Sequence, residues 1–200
     1  MKKKILVACL CVALAVLTVA GTTLAYLTSQ QTVTNTFTVG NVKITMDETD
    51  TDDSTPNADR DQANAYILMP GKKYEKDPIV HVDPVSEDSW IFVKVENGIS
   101  AFEATTAKDG YKTIADQITA NGWTELTGVT GVTGVYYKSY TKSTTGDNLA
   151  VFQEFQISDT ANDVTGWSTI GASNNIVVTA YAIQKEGFTT AAAAWAEVGN

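Results

Sequence analysis

SWIFVKVE, residues 89–96, is the stretch that decides the fold. It is rich in β-branched and aromatic residues, and Asn97-Gly98 closes it with a turn pair, so it reads as a strand. Working outward, Ile79–Val82 is a second strand stopped by Asp83-Pro84, and Tyr66–Met69 a third stopped by Pro70-Gly71. Strands are expected again over 135–142, 150–157 and 175–183. Between them, Ile114 and Ile118 stand four apart with Gly122 just beyond, which predicts a helix over 111–121. GVTGVTG, 128–134, reads as a loop or bulged hairpin, and AAAAWAEV, 191–198, as a short terminal helix. Many strands at turn-rich spacing with few helices predict an all-β chain with minor helices. The specific expectation is an antiparallel jelly-roll-like β-sandwich with a short helical insertion.

The N-terminus carries a different message. Lys2, Lys3 and Lys4 precede an apolar run, Ile5–Val19, and Thr23-Leu24-Ala25 is a small-x-small cleavage site. This is the pattern of a secretory signal peptide cut between Ala25 and Tyr26. The run is shorter than the ~20 residues a spanning helix needs, so no stable membrane span is expected in the mature form. After it, Leu27, Val33, Phe37 and Val39 share one parity, while Val42, Ile44 and Met46 share the other. Strand faces alternate with period two, so a joint is required near Gly40. The expected organisation is a signal peptide over 1–25, an extended N-terminal segment over 26–40 and one sandwich domain over 41–200.

Composition excludes several chemistries. The two cysteines, Cys9 and Cys11, both lie in the signal, so the mature chain has no disulfide, thiolate nucleophile or Cys-ligated metal. Loss of Lys2–Lys4 leaves 11 basic against 23 acidic residues, a formal charge of −12. Nucleic acid and anionic membrane surfaces repel such a chain. The single histidine, His81, sits between two valines of a strand and reads as a hydrogen-bonded or exposed side chain. One histidine cannot furnish the two or three imidazoles usual at catalytic zinc. Ser139-Tyr140-Thr141-Lys142 spells S-x-x-K, but on a strand residues three apart face opposite sides. No phosphate loop is present.

The acidic stretch 47–63 is the one candidate metal site. Asp50, Asp52 and Asp53, with Asp47, Glu48, Asp59 and Asp61 around them, could offer hard oxygens to Ca2+, although the glycine and bidentate glutamate of an EF-hand loop are missing. No other cofactor is expected.

KKKILVACLC (2–11), AGTTLAYLT (20–28) and NTFTVGNVKITMDE (35–48) together resemble the signal and first strand of the TasA/camelysin family. Residues 58–98, ADRDQANAYILMPGKKYEKDPIVHVDPVSEDSWIFVKVENG, are also similar to its exported members. The resemblance implies processing by a SipW-type signal peptidase and secretion to the cell surface or extracellular matrix. It implies a structural subunit of biofilm-matrix fibres, a homopolymer with possible accessory matrix proteins. Each subunit would donate its N-terminal strand to the next. On this chain the donor side chains would be Leu27, Val33, Phe37 and Val39. The family also bears a metalloprotease label, for which the chain shows no zinc-ligand motif, so no enzyme is expected. A camelysin-like surface protease and a carbohydrate-binding or adhesive sandwich, using Trp90, Trp123, Trp167 and Trp195, are the alternatives.

Donation can be weighed. Burying the four apolar side chains gives roughly 6–12 kcal/mol. About ten ladder hydrogen bonds add roughly 5–15 kcal/mol. Ordering the segment costs roughly 13–26 kcal/mol. The balance is near zero, so assembly is expected to depend on concentration, pH and salt.

Overall fold

The computed structural model describes residues 41–52, 59–105, 110–171 and 174–198, all within the larger of the chain's two units, Gly40–Asn200. The expected signal peptide, 1–25, and the expected N-terminal segment, 26–40, lie outside the described residues.

Among the described residues, ten strands and two α-helices follow in order, with short 3-10 helices at Ala161–Asp163 and Trp167–Thr169: β1 (Ile44–Thr49), β2 (Arg60–Asp61), β3 (Lys73–Glu75), β4 (Ile79–Val82), β5 (Ser89–Asn97), α1 (Ile114–Ala120), β6 (Thr124–Glu125), β7 (Val135–Tyr140), β8 (Asp147–Ala150), β9 (Glu154–Gln156), β10 (Ile176–Gln184) and α2 (Ala191–Val198). One four-stranded sheet runs β2-β1-β4-β8 and a second β10-β5-β7-β6, with β3 and β9 as a separate pair. Every pairing among the described strands is antiparallel. The all-β class expected from the sequence is the class observed.

The strand that decided the fold is buried on both faces. Ile91 and Val93 enter the main core with Val80 and Val82 of β4 and Ile44 and Met46 of β1, so the two sheets pack face to face. Phe92, one residue out of phase, enters a second core with Leu126, Val135, Ala194 and Trp195. Alternation therefore serves two cores at once, one between the sheets and one beneath α2.

The helix forms a little shorter than expected. The Thr113 hydroxyl accepts from Asp116 N at 3.2 Å, a standard N-cap. Glu103 Oε1 accepts from Ile114 N at 2.8 Å and from the Tyr111 hydroxyl at 2.6 Å. Gly122, at φ 82°, carries the chain away in a conformation that costs glycine little. Two expected strands are corrected. Residues 150–157 split into β8 and β9, because the adjacent Val151 and Phe152 are both buried in the same core, whereas successive side chains of a straight strand point to opposite faces. Tyr66–Met69 forms no strand and has no strand partner among the described residues. Its carbonyl at Ile67 accepts from the Tyr74 hydroxyl at 2.7 Å, and that oxygen accepts from Met69 N at 2.6 Å.

Candidate functional site: a groove between unpaired edges

Among the described residues, β10 pairs with β5 on one side only. β1 pairs with β4 over Ile44–Asp47, and β2 covers its other edge only at Glu48 and Thr49. The edge of Ile44–Asp47 away from β4 therefore has no strand partner among the described residues. Both edges border one groove of about 1150 Å³. The segment 62–68 forms a further wall, and Ile99, Phe155, Trp167 and Ile170 contribute apolar lining.

The groove is apolar because alternation points Ile44 and Met46 of β1, and Ile176, Val178 and Ala180 of β10, at the main core. None of these five is fully buried. At the rim Ile67 is 87% exposed and Val177 44%. The segment 62–68 is held by aromatic side chains instead of a ladder. The Tyr66 ring stands edge-on to Tyr74 at 5.9 Å and to Phe155 at 5.2 Å, and its hydroxyl donates to Glu75 O at 2.8 Å. Two backbone edges unpaired among the described residues, an apolar lining and exposed rim side chains are the features that adding an extended peptide to a sheet requires. Main-chain hydrogen bonds supply affinity in such a receptor, and alternate side chains supply specificity.

One end of the lining is charged. Glu48 and Lys76 form an ion pair at 2.5 Å with side chains only 5% and 11% exposed. Asn64 Nδ2 donates to Glu48 Oε1 at 3.1 Å and to Thr49 O at 2.8 Å. The sequence reading placed Glu48 in the acidic stretch 47–63. Instead β1 continues through Thr49, and parity turns Glu48 inward behind Met46.

The other acidic residues serve several ends. Arg60 Nε donates to Asp47 Oδ1 at 2.5 Å, and its Nη1 donates to Asp77 Oδ2 at 2.9 Å. Asp50, Asp52 and Asp61 each place a carboxylate oxygen within 4.8 Å of the others. All three are among the acidic residues named from the sequence, and β2 brings Asp61 to the other two from across the loop. Asp53 lies outside the described residues, as do Ala25, Tyr26, Leu27, Val33, Phe37 and Val39. The cluster's carboxylates already accept backbone donors: Asp52 Oδ2 from Ala65 N at 2.5 Å and Asp61 Oδ1 from Ala63 N at 3.3 Å. Three oxygens are about half the six to eight that Ca2+ takes.

His81 is a strand histidine with both ring nitrogens engaged. Nδ1 meets Asn148 Oδ1 at 2.6 Å and Nε2 meets Asp47 Oδ2 at 3.0 Å. Burial pulls its pKa down. Hydrogen bonds to Asn148 and Asp47, and the Asp47 charge, outweigh burial and raise it above the ordinary 6.5. A histidine raised in the folded state adds stability below its unfolded pKa and loses it as pH rises through the folded one. The urea midpoint is expected to fall between about pH 5 and pH 8, and His81→Gln is expected to remove that fall. A variant whose pH profile overlays the parent's in this window would refute the linkage.

The four tryptophans do not share a platform. Trp123 lies in the main core, Trp195 in the second, Trp167 against Phe102 at 5.7 Å and Trp90 against Tyr137 at 5.8 Å. Ser139 and Lys142 are likewise apart in function: the Ser139 hydroxyl accepts from Lys185 at 2.8 Å, while Lys142 pairs with Glu87 at 2.6 Å. No helix among the described residues is long and apolar enough to cross a membrane.

Residues 1–55 match the family model described as camelysin metallo-endopeptidase, the family that the N-terminal motifs resemble. No curated protein and no solved structure matches the chain. The metal implied by that description does not fit the donors present. The matched stretch contains no histidine. His81, outside it, shares Asp47 with the Arg60 guanidinium, a cation already seated where a metal ligand would be needed.

Proposed function

From camelysin-family sequence at its N-terminus, we propose that this chain is an exported structural subunit of extracellular matrix fibres. A SipW-type peptidase releases Tyr26 as the new N-terminus. The segment that follows docks as a strand in the groove of the next jelly-roll-like subunit. The observation that carries this reading is the pair of open edges, on β1 and β10, bordering one apolar groove. A free edge of this kind is an aggregation hazard unless something covers it. An amphipathic segment next to the domain in sequence, with Leu27, Val33, Phe37 and Val39 on one face, has the pattern to do so.

Charge sets the conditions. Subunits at −12 repel, so fibres should be favoured by salt and by mild acid. Negative-stain microscopy of the mature protein, beside a form lacking residues 26–38, tests the proposal. Fibres are expected from the first and none from the second, with the melting transition of the domain retained. Fibres unaltered by the deletion would overturn it.

A further inference from the structure

The groove does more than accept an apolar strand: its β1 side carries a pattern that only one stretch of the N-terminal segment matches. Read inward along β1, that pattern is Ile44, Met46, then the buried Glu48. The ladder positions on the open edge stop at Asp47, because β2 places Asp61 opposite Glu48. An incoming strand must therefore offer two successive inward apolar residues, followed by a polar one where the slot ends.

The inward face of 27–39 reads Leu27, Ser29, Gln31, Val33, Asn35, Phe37, Val39. Its outward face from 28 on is Thr28, Gln30, Thr32, Thr34, Thr36 and Thr38, a polar β-prone surface. Only Phe37 and Val39 are successive and apolar on the inward face. Run antiparallel, they are followed by Asn35. Run parallel, they are followed by Gly40 and Asn41. The Asn41 carbonyl accepts from Glu87 N at 2.9 Å within its own subunit, so the donor's folded body would have to enter the slot that β2 fills.

Resting on the fibre reading above, we infer that residues 33–39 of a second copy dock antiparallel on the open edge of β1 in a single register. Val39 lies opposite Ile44 and Phe37 opposite Met46, and Asn35 reaches the end of the groove at Glu48, Asn64 and Lys76. Parity alone leaves slips of two residues open. A slip of two toward the N-terminus puts Asn35 against Met46 and Val33 at the ion pair, burying an amide without a partner and an alkyl group beside charge. β10 cannot set this register. Its inward residues Ile176, Val178, Ala180 and Ala182 are uniformly apolar. Every run of four inward residues in 27–39 contains a polar one.

The cysteine-free mature chain makes the register measurable. Directly opposed residues in an antiparallel pair have Cα atoms about 4.5–5.5 Å apart, within disulfide reach, and residues two positions off do not. Thr38→Cys with Thr45→Cys is the matched outward pair, and Thr36→Cys with Thr45→Cys is the slipped one. Full mature chains are assembled, checked for fibres by microscopy, oxidised and run without reductant. The matched pair is expected to give a covalent ladder and the slipped pair none. Adding Asn35→Leu is expected to let the slipped pair form a ladder as well. A ladder from the slipped pair alone, or equally from both in the Asn35 parent, overturns the register while the fibre reading stands. A cross-linked monomer in place of a ladder shows docking within one copy and overturns the second-copy assignment. Absence of fibres from the parent chain removes the fibre reading itself.

Discussion

Lys76→Met is expected to destabilise the protein by about 3–5 kcal/mol, the cost of leaving a buried charge without its partner. Glu48 is held behind the main core with its side chain 5% exposed, and Lys76 is its cation. Methionine keeps the length and apolar stem of the lysine, so the loss isolates charge from packing. Asn64 alone would then face the carboxylate. A second variant completes the argument: Lys76→Met with Glu48→Leu should recover most of the loss, since a buried pair replaced by apolar groups is often neutral or better. Urea denaturation of the two variants and the parent measures this. A single variant within about 1 kcal/mol of the parent would show that the pair is solvated, as surface pairs are. The double variant also bears on assembly, because it removes the polar end of the groove while leaving the fold in place.

Trp195→Ala is expected to cost a comparable amount, about 3–5 kcal/mol, for a different reason. Trp195 is 6% exposed, with its ring 5.3 Å from Phe92 and 5.2 Å, edge-on, from Tyr181. It is the one large side chain by which α2 grips the outer face of β5 and β10. A helix of eight residues has little stability of its own in water. Truncation should therefore release α2 as well as open a cavity. Thermal unfolding followed by far-ultraviolet circular dichroism reads both effects, and Trp195→Phe should cost distinctly less. Retained helix signal with a melting temperature unchanged from the parent would sink this account. Because the groove lies on the opposite face of β10, fibres formed below the lowered transition should be normal.

Much of the architecture was legible in the chain. The β-branched and aromatic composition of 89–96, closed by Asn97-Gly98, announced a strand, and its burial on both faces follows from Phe92 being as apolar as Ile91 and Val93. The helix at 114–120 was legible because Ile114 and Ile118 stand one turn apart and Gly122 ends the run. The break after Ala150 was not legible. Val151 and Phe152 read equally well as a continuing strand or a corner, and only the packing of both into the core forces the turn. Likewise Tyr66–Met69 has the composition of a strand, yet the Tyr74 hydroxyl takes the place of a neighbouring backbone.

The candidate site shows the same division. The shared parity of Ile44 and Met46 was legible in the sequence, since side-chain chemistry and parity are local properties. That β1 and β10 both leave an edge open to one groove was decided only by the tertiary structure. Every backbone offers the same N–H and C=O whatever its side chain, so no local pattern records which edges find a partner. The burial of Glu48 was decided there too: its charge suggests solvent, and only the arrival of Lys76 and Asn64 from elsewhere in the chain makes an interior carboxylate tolerable.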